Sequence, residues 1–356
     1  MPVIKVLGIG GGGSNAIGRM FKEKLAVAEY YAINTDAQHL FRCDVENRVA
    51  IGQSLTRGLG GGANPDIGRQ AAEESREALE KVMDGADMIF LATGMGGGTG
   101  TGAVPVIAQI AKETGALTVA VVSKPFGFEA SVRRKNADEG IARLKDHVDT
   151  MIVIPNDRLL QMDRNTEQTY TWEDALKMAD SVLQQGIQSM ADVVTTPGEI
   201  NVDFADVRTI LTNAGQAWLA IGRGKGETRA REAAKQAVKS PLLDIDIAGA
   251  KRVLFVITSC PNLSLKEVNE AAEVIYELTD PEANVIFGTT KDKKMDDELK
   301  VTIVAAAFPL TQDGTEQGGE DLRKLLREAT PEETENLEIP SFLRRQAAQR
   351  NRRFFR

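Results

Sequence analysis

Short apolar runs alternate with longer amphipathic segments through the first half of the chain. The runs are rich in β-branched residues, as in strands that are buried on both faces of a sheet. The segments between them place apolar residues every three or four positions, as on one face of a helix. This alternation predicts an α/β fold with a doubly wound, mostly parallel sheet. The predicted strands are 3–10, 29–34, 87–93, 117–124 and 150–155. A single long helix is predicted at 64–83, opened by Asn64 as its cap and Pro65.

The second half of the chain has a different pattern. Residues 172–194 form one amphipathic segment, which predicts a long connecting helix that ends before Pro197 and Gly198. Further strand and helix patterns up to Phe308 predict a second, smaller α/β domain with a mixed sheet. The predicted segments are a first domain at 1–170, the connecting helix and its loop at 171–200, a second domain at 201–308, a flexible linker at 309–336 and a basic tail at 337–356.

Charge and rare residues narrow the classes of function. The chain has 356 residues and a net charge of −8, although its final twenty residues contain six arginines and one glutamate. An acidic body argues against nucleic acid as a partner, because nucleic-acid binders place Lys and Arg on phosphates. Two cysteines and two histidines are too few for a disulfide framework or a histidine-based metal centre. Without a signal peptide or a membrane-spanning run, the sequence predicts a cytoplasmic protein.

Glycine is concentrated in three clusters, at residues 8–13, 58–62 and 94–102. The first cluster satisfies the G-x-G-x-x-G pattern between a predicted strand and a predicted helix, which is a weak indication of a dinucleotide fold. Asn34 and Asp36 end the second predicted strand, where such folds contact a ribose. One candidate function is therefore an NAD-dependent oxidoreductase with a Rossmann domain.

The third glycine cluster favours a different function. It lies in the segment ATGMGGGTGTGAVPVI at 92–107, again between a predicted strand and a predicted helix. Backbone N–H groups of such a turn and the positive end of the next helix form an anion cradle, and the Thr99 and Thr101 hydroxyls can donate to phosphate oxygens. A Rossmann enzyme needs only one such loop. Two of them, with the cluster at 58–62 close by, predict a triphosphate that is surrounded from several sides.

Eight separated motifs resemble those of bacterial FtsZ, in the tubulin/FtsZ GTPase family, and they occur in the same order. One is GGGTGTG at 96–102, the tubulin signature, and the resemblance covers about residues 3–308. It resumes with EIPSFLRRQ at 338–346, which is similar to the C-terminal adaptor-binding peptide of the family. The other motifs are IGGGGSNAI, NTDAQ, GLGGGANP, SKPFGFE, IPNDRLL, NVDFADVR and SPLL.

The resemblance implies a GTPase that binds GTP or GDP, with Mg²⁺ held mainly through the phosphates and not by residues of the chain. It implies a nucleotide site in four parts. The implied residues are Gly11, Gly12, Gly13, Asn15 and Ala16 in a first loop; Gly96, Gly97, Gly98, Thr99, Gly100 and Thr101 in the signature loop; Glu129, Arg133 and Asn156 near the sugar; and Asp180 on guanine. Spacing alone would favour an ordinary i, i+4 salt bridge for Glu129 and Arg133.

One position of the implied site departs from the family. FtsZ usually has a Phe that stacks on the base four residues before the guanine-binding Asp, and this chain has Leu176 there. Stacking of an aromatic side chain on a base contributes roughly 1 to 3 kcal/mol. We therefore expect somewhat weaker nucleotide binding than in relatives that keep the Phe, unless Trp172 or another ring compensates.

The resemblance also implies how catalysis and assembly are connected. In the family, the segment that contains Asn201, Asp203 and Asp206 enters the nucleotide pocket of the next subunit in a head-to-tail filament, where its carboxylates orient the attacking water. Spacing alone would favour ordinary acids at a helix start. The tail is implied to bind division adaptor proteins that tether filaments to the membrane at mid-cell. Its implied contact residues are Ile339, Pro340, Phe342, Leu343, Arg344 and Arg345.

Overall fold

Strands and helices alternate along the part of the chain that the computed structural model describes. The described residues are 2–22, 28–162, 171–195, 202–240, 250–260, 262–277, 279–292, 295 and 297–307. The predicted linker and basic tail lie outside them, as does Asn201.

The first-half strands follow the predicted pattern closely, and one short strand, β3, was not predicted. The strands are β1 (Ile4–Ile9), β2 (Ala28–Asn34), β3 (Asn47–Ala50), β4 (Met88–Gly94), β5 (Leu117–Lys124), β6 (Thr150–Pro155), β7 (Gly215–Lys225), β8 (Arg252–Ser259), β9 (Asn284–Lys291) and β10 (Glu298–Ala306). The α-helices are α1 (Gly10–Lys22), α2 (Ala37–Arg42), α3 (Gln53–Thr56), α4 (Pro65–Glu74), α5 (Arg76–Met83), α6 (Thr99–Glu113), α7 (Ser131–Leu144), α8 (Asn156–Met162), α9 (Trp172–Thr195), α10 (Phe204–Leu211), α11 (Arg229–Val238) and α12 (Leu265–Tyr276).

The strands form one sheet in the order β3-β2-β1-β4-β5-β6-β7-β10-β8-β9. All neighbours from β3 to β7 are parallel, β10 is antiparallel to both β7 and β8, and β8 and β9 are parallel. The first residues of β7 extend the parallel part beside β6, with Thr150 opposite Gly215. The predicted doubly wound, mostly parallel arrangement followed by a mixed one is confirmed.

Two apolar layers cover the parallel strands because their side chains alternate between the two faces. Along β4, Phe90 and Ala92 belong to one core, whereas Ile89 and Leu91 belong to the other. The long helix α9 is part of the first of these cores, which also includes Val304 of β10. This helix therefore packs against strands from both halves of the sheet.

The long helix predicted at 64–83 is in fact two helices. Asn64 caps the first of them as predicted, since its side chain accepts a hydrogen bond from the Asp66 N–H at 3.0 Å. The break comes at Ser75, whose hydroxyl accepts a hydrogen bond from the Gly52 N–H at 3.0 Å. Ser75 has φ −103° and ψ 18°, outside regular helix geometry. A contact to a residue that is distant in sequence thus interrupts a pattern that locally favours one helix.

Candidate functional site

The first and third glycine clusters meet at the carboxyl edge of the parallel strands. The first follows β1 and opens α1, and the third follows β4 and opens α6. Their backbones are so close that a Cβ atom added at Gly10 would lie 2.9 Å from the Gly100 nitrogen. A Cβ at Gly12 would lie 3.4 Å from the Gly94 nitrogen. Glycine is needed here because the two loops pack backbone against backbone.

The second glycine cluster joins the other two. A Cβ added at Gly98 would lie 2.9 Å from both the Asn64 nitrogen and the Gly61 oxygen. By contrast, a Cβ added at Gly97 would have no protein atom within 4 Å. The three clusters that the sequence singled out therefore form one structure, and Gly97 faces its open side.

The first turn of α6 leaves its N–H groups without a side-chain cap. Its N-cap residue is Gly98, which has no side chain that could accept a hydrogen bond from these N–H groups. The first N–H groups of a helix have no partner within the helix, and together with the helix dipole they attract anions. This turn is bordered by the three glycine loops, so the site has the form of an anion cradle made of backbone N–H groups.

The two threonines of this turn are both buried, and each makes a hydrogen bond within the protein. Thr101 Oγ1 accepts a hydrogen bond from the Gly96 N–H at 2.7 Å, which fixes the loop in front of the helix. Gly96 has φ +101°, a conformation that favours glycine. Thr99 Oγ1 lies 2.6 Å from Thr35 Oγ1. The predicted contacts of these hydroxyls with phosphate remain predictions.

Glu129 and Arg133 lie beside the signature loop. They form the i, i+4 ion pair that their spacing predicts. Glu129 also accepts a hydrogen bond from the Phe126 N–H at 2.9 Å. A Cβ added at Gly96 would lie 2.8 Å from the Arg133 carbonyl oxygen, so the first turn of α7 packs directly on the loop. Glu129 ends the short 3-10 turn Gly127–Glu129, and Ala130 with φ +83° separates it from α7, so the pair links that turn to the helix beside the cradle.

Asn156 follows β6 at the same edge of the sheet and is buried. Its Oδ1 atom has no hydrogen-bond partner within the described part of the chain. A buried amide oxygen without a partner is energetically unfavourable. Such an atom is therefore suited to accept a hydrogen bond from a ligand.

Asp180, the predicted guanine-binding residue, and the first-loop residues Asn15 and Ala16 lie where α1 packs against α9. Asn15 is exposed on α1 and Ala16 is buried beneath it. Asp180 of α9 forms a salt bridge with Arg19 of α1, with 3.2 Å between Nη2 and Oδ2. Arg19 Nη1 also donates to the Lys177 carbonyl at 3.1 Å. No sequence motif singled out Arg19, although its position four residues after Asn15 places it on the same face of the helix.

Burial and charge act in opposite directions on Asp180. Burial is the larger influence and raises the pKa of the Asp180 carboxyl to about 6, while the Arg19 guanidinium lowers it. Leu176 lies one turn earlier on α9, and 38% of its surface is exposed. An apolar, accessible side chain is thus present where the family has an aromatic ring, but it offers no ring face for stacking.

The acidic segment is at the opposite edge of the sheet. Asp203 is the N-cap of α10 and accepts a hydrogen bond from the Asp206 N–H at 2.8 Å. Both aspartates are exposed. The Leu211 carbonyl at the end of α10 accepts a hydrogen bond from Thr150, the first residue of β6. Arg208 donates to the carbonyl of Gly115, just before β5 begins.

No group of three or more His, Cys, Asp or Glu side chains within the described residues is arranged to hold a metal ion. No helix among those residues is both long and apolar enough to cross a bilayer.

Comparisons with known proteins agree with this geometry. The model of the tubulin/FtsZ family GTPase domain matches residues 3–164, and that of the FtsZ family C-terminal domain matches 215–309. A structure of an empty FtsZ dimer from M. jannaschii is 44% identical, with a TM-score of 0.82, and covers 86% of this chain and 88% of that chain. A tryptophan-to-tyrosine mutant of FtsZ from M. jannaschii is 43% identical, with a TM-score of 0.83, and covers 86% and 91%.

A more distant structure shows only the shared fold. CetZ1 from Haloferax volcanii, in a GDP-bound monomer, is 20% identical, with a TM-score of 0.76, and covers 90% of this chain and 99% of that chain.

The parallel sheet with three joined glycine loops defines a tubulin-like nucleotide-binding GTPase. The chain belongs to the tubulin/FtsZ family. It is accordingly a cytoskeletal protein that hydrolyses GTP, and the family binds GTP or GDP with Mg²⁺ through the phosphates.

The alternative of an NAD-dependent oxidoreductase is not supported. The strand order typical of a Rossmann domain, 3-2-1-4-5-6, is also present in this sheet. Topology alone therefore does not distinguish an NAD-dependent oxidoreductase from a tubulin-like GTPase. The residues proposed for the ribose have other roles. Asn34 Oδ1 accepts a hydrogen bond from the Thr35 N–H at 2.9 Å. Asp36 caps α2 by accepting a hydrogen bond from the His39 N–H at 3.0 Å.

Proposed function

We propose that this GTPase hydrolyses GTP in a site that two subunits complete when they associate head to tail. One observation supports this above all. The glycine loops lie at the carboxyl edge of the parallel strands, and α10 lies at their amino edge. Along β5, which has eight residues, the two edges are separated by roughly 23 Å. A single subunit therefore holds the two sets of residues too far apart to act on one phosphate.

The repeated use of one such contact would produce a filament. A contact between two different surfaces of identical subunits continues without closing unless its rotation forms a ring. The M. jannaschii structure is a dimer of FtsZ, and CetZ2 from Haloferax volcanii was observed as a GTPγS-bound protofilament. Self-association of this chain is consistent with both.

We assign the nucleotide to the cradle at the carboxyl edge. Backbone N–H groups of the three glycine loops and of the α6 first turn would bind the phosphates. Arg133 and Glu129 lie beside the signature loop at 96–101. The Asn156 Oδ1 atom, which has no partner within the described residues, would accept a hydrogen bond from the nucleoside. Asp180 would accept hydrogen bonds from the ring N–H and the amino group of guanine, which adenine does not offer in that arrangement.

The chemical step would be in-line attack of water on the γ-phosphorus, with cleavage of its bond to the bridging oxygen of GDP. Asn201, Asp203 and Asp206 of the adjoining subunit would orient and polarise that water. Mg²⁺, when bound to the phosphates, offsets their negative charge. The nucleotide oxygens would be its principal ligands.

We further propose that the filament is the bacterial division ring, assembled at mid-cell in the cytoplasm. Support comes from the similarity of residues 338–346 to the adaptor-binding peptide of the family. Phe342 and Leu343 would be its apolar anchors, and the surrounding arginines would bind acidic partners. Adaptors would connect the filament to the membrane. A pull-down of the full chain with division adaptors, compared with a chain ending at Leu337, tests this assignment.

The shared site predicts that the GTPase rate per molecule depends on protein concentration. We expect phosphate release per chain to rise steeply where light scattering shows assembly, and to approach zero on dilution, because dilution separates the two halves of the site. Phosphate release and scattering measured on the same samples, with GTP and Mg²⁺, test this. A rate per chain that is unchanged by dilution would show that one subunit contains a complete site.

The Asp180 assignment predicts a pH effect on nucleotide affinity. Guanine needs the ionised carboxylate, and a pKa near 6 means that the ionised fraction falls about tenfold between pH 7 and pH 5. The ratio of wild-type to Asp180→Asn affinity for GDP should fall by the same factor, and taking the ratio cancels titration of the phosphates. Equal pH profiles for the two proteins would refute the assignment.

Protonation of Asp180 does not promote acid unfolding, so unfolding through this group cannot explain a loss of GDP affinity at low pH. The pKa of Asp180 is raised in the folded protein, so protonation favours the folded state, and this group adds stability as the pH falls through about 6. The predicted loss of affinity at low pH therefore runs opposite to the effect of the same group on stability.

A further inference from the structure

Thr35 is a buried residue that connects two of the loops at the nucleotide site. It follows β2 and is 2% exposed. Its carbonyl accepts a hydrogen bond from the Gly60 N–H at 3.3 Å, within the second glycine cluster. Its hydroxyl lies 2.6 Å from the hydroxyl of Thr99, the first residue of α6. One residue thus contacts the second glycine cluster through its backbone and the signature loop through its side chain.

The two hydroxyls share one hydrogen bond, and only one of them can be the donor. Each hydroxyl has one hydrogen and two acceptor lone pairs. If Thr99 donated, the hydrogen of Thr35 would need another acceptor, and none is found for this buried hydroxyl in the described part of the chain. If Thr35 donates, its hydrogen is satisfied and the hydrogen of Thr99 is left to point elsewhere. The second arrangement places the unpaired hydrogen on the less buried of the two residues, since Thr99 is 9% exposed and Thr35 is 2% exposed.

The freed hydrogen of Thr99 lies at the uncapped amino end of α6. That end is bordered by the glycine loops, and an anion bound there would accept hydrogen bonds from N–H and O–H donors. A threonine hydroxyl that already accepts one hydrogen bond has its rotamer fixed and its own hydrogen directed away from that partner. The Thr35 hydroxyl would therefore determine both the position and the donor direction of Thr99.

We propose that Thr35 is a positioning residue for the phosphates of the nucleotide, and that it acts by donating a hydrogen bond to Thr99. The inference rests on the proposed function, since it assumes that phosphate binds at this loop. Neither the glycine patterns nor spacing indicates Thr35, because the two threonines are 64 positions apart in the sequence.

The test is a double-mutant cycle on the full chain, with Kd for GDP measured at protein concentrations below assembly. Thr35→Val removes the donor and keeps the shape, and we expect it to weaken GDP binding about fivefold to tenfold, within the range for one hydrogen bond between neutral groups. Thr35→Ser keeps the hydroxyl and should bind within about twofold of wild type. In a Thr99→Val background, Thr35→Val should have no further effect.

Other results would overturn the inference. Normal GDP binding by Thr35→Val, or effects of the two substitutions that simply multiply, would show that Thr35 does not act through Thr99. Thr35→Ala provides a second measurement of the same loss without a methyl group facing Thr99. Thr118→Val is the control for structural damage, because its buried hydroxyl donates to the Ala116 carbonyl at the amino end of β5, away from the glycine loops. Failure of the wild type to bind GDP would instead refute the proposed function.

Discussion

Asp206→Ala should bind GTP as tightly as the wild type and assemble with it, yet hydrolyse GTP at least about a hundredfold more slowly, the usual effect of losing a group that activates water. The residue is exposed and lies at the sheet edge opposite the glycine loops, so its loss should leave nucleotide binding intact. Asp206 is a better target than Asp203, because Asp203 caps α10 and its removal would also cost roughly 0.5 to 2 kcal/mol of stability. Phosphate release and sedimentation, measured together, test this.

Glu77→Ala is the matched control, since Glu77 is also an exposed acid in the first turn of a helix. It should hydrolyse GTP at the wild-type rate. Full turnover by Asp206→Ala would show that the acidic segment is not part of the hydrolytic site.

Gly97→Ala should fold with normal stability and lose GTP binding by about tenfold to a hundredfold. An added methyl at Gly97 would meet no protein atom within 4 Å, so any penalty must come from a ligand at the open side of the loop. Overfilling a well-packed site costs about 1 to 3 kcal/mol, which corresponds to that range of affinity. Thermal unfolding without nucleotide, combined with GTP titration, separates the two effects.

Two other glycines provide the comparison. Gly102→Ala would place a methyl 1.8 Å from the Pro65 carbonyl oxygen and should destabilise the protein itself. Gly18→Ala would meet only the Cys43 sulfur at 3.8 Å and should change neither folding nor binding appreciably. If Gly97→Ala binds GTP normally, the phosphates do not contact the open side of this loop.

A mixture of Asp206→Ala and Gly97→Ala chains connects the two results. In a head-to-tail contact, the intact pocket of the first variant meets the intact acidic segment of the second. The mixture should therefore release more phosphate than the average of its components. An average value would mean that each chain hydrolyses GTP without its neighbour.

The sequence predicted the parts of this protein that depend on neighbouring residues. Buried strands, the capping Asn64 and the three glycine clusters are local patterns, because alternation, capping and close backbone approach each involve a few adjacent positions. The family motifs added the expected roles of Asp180 and Asp206. The prediction of one continuous helix at 64–83 was wrong for a non-local reason. The Ser75 hydroxyl accepts a hydrogen bond from the Gly52 N–H, which is distant in the sequence.

Only the tertiary structure decided which of these parts meet. The salt bridge of Arg19 with Asp180 and the hydrogen bond of Thr35 with Thr99 join residues far apart in the sequence, and no local pattern encodes such partners. Strand order and direction placed the glycine loops at one edge of the sheet and α10 at the other. Backbone pairing across the whole sheet sets that separation, and it is the physical reason why the two proposed half-sites lie at opposite edges of one sheet.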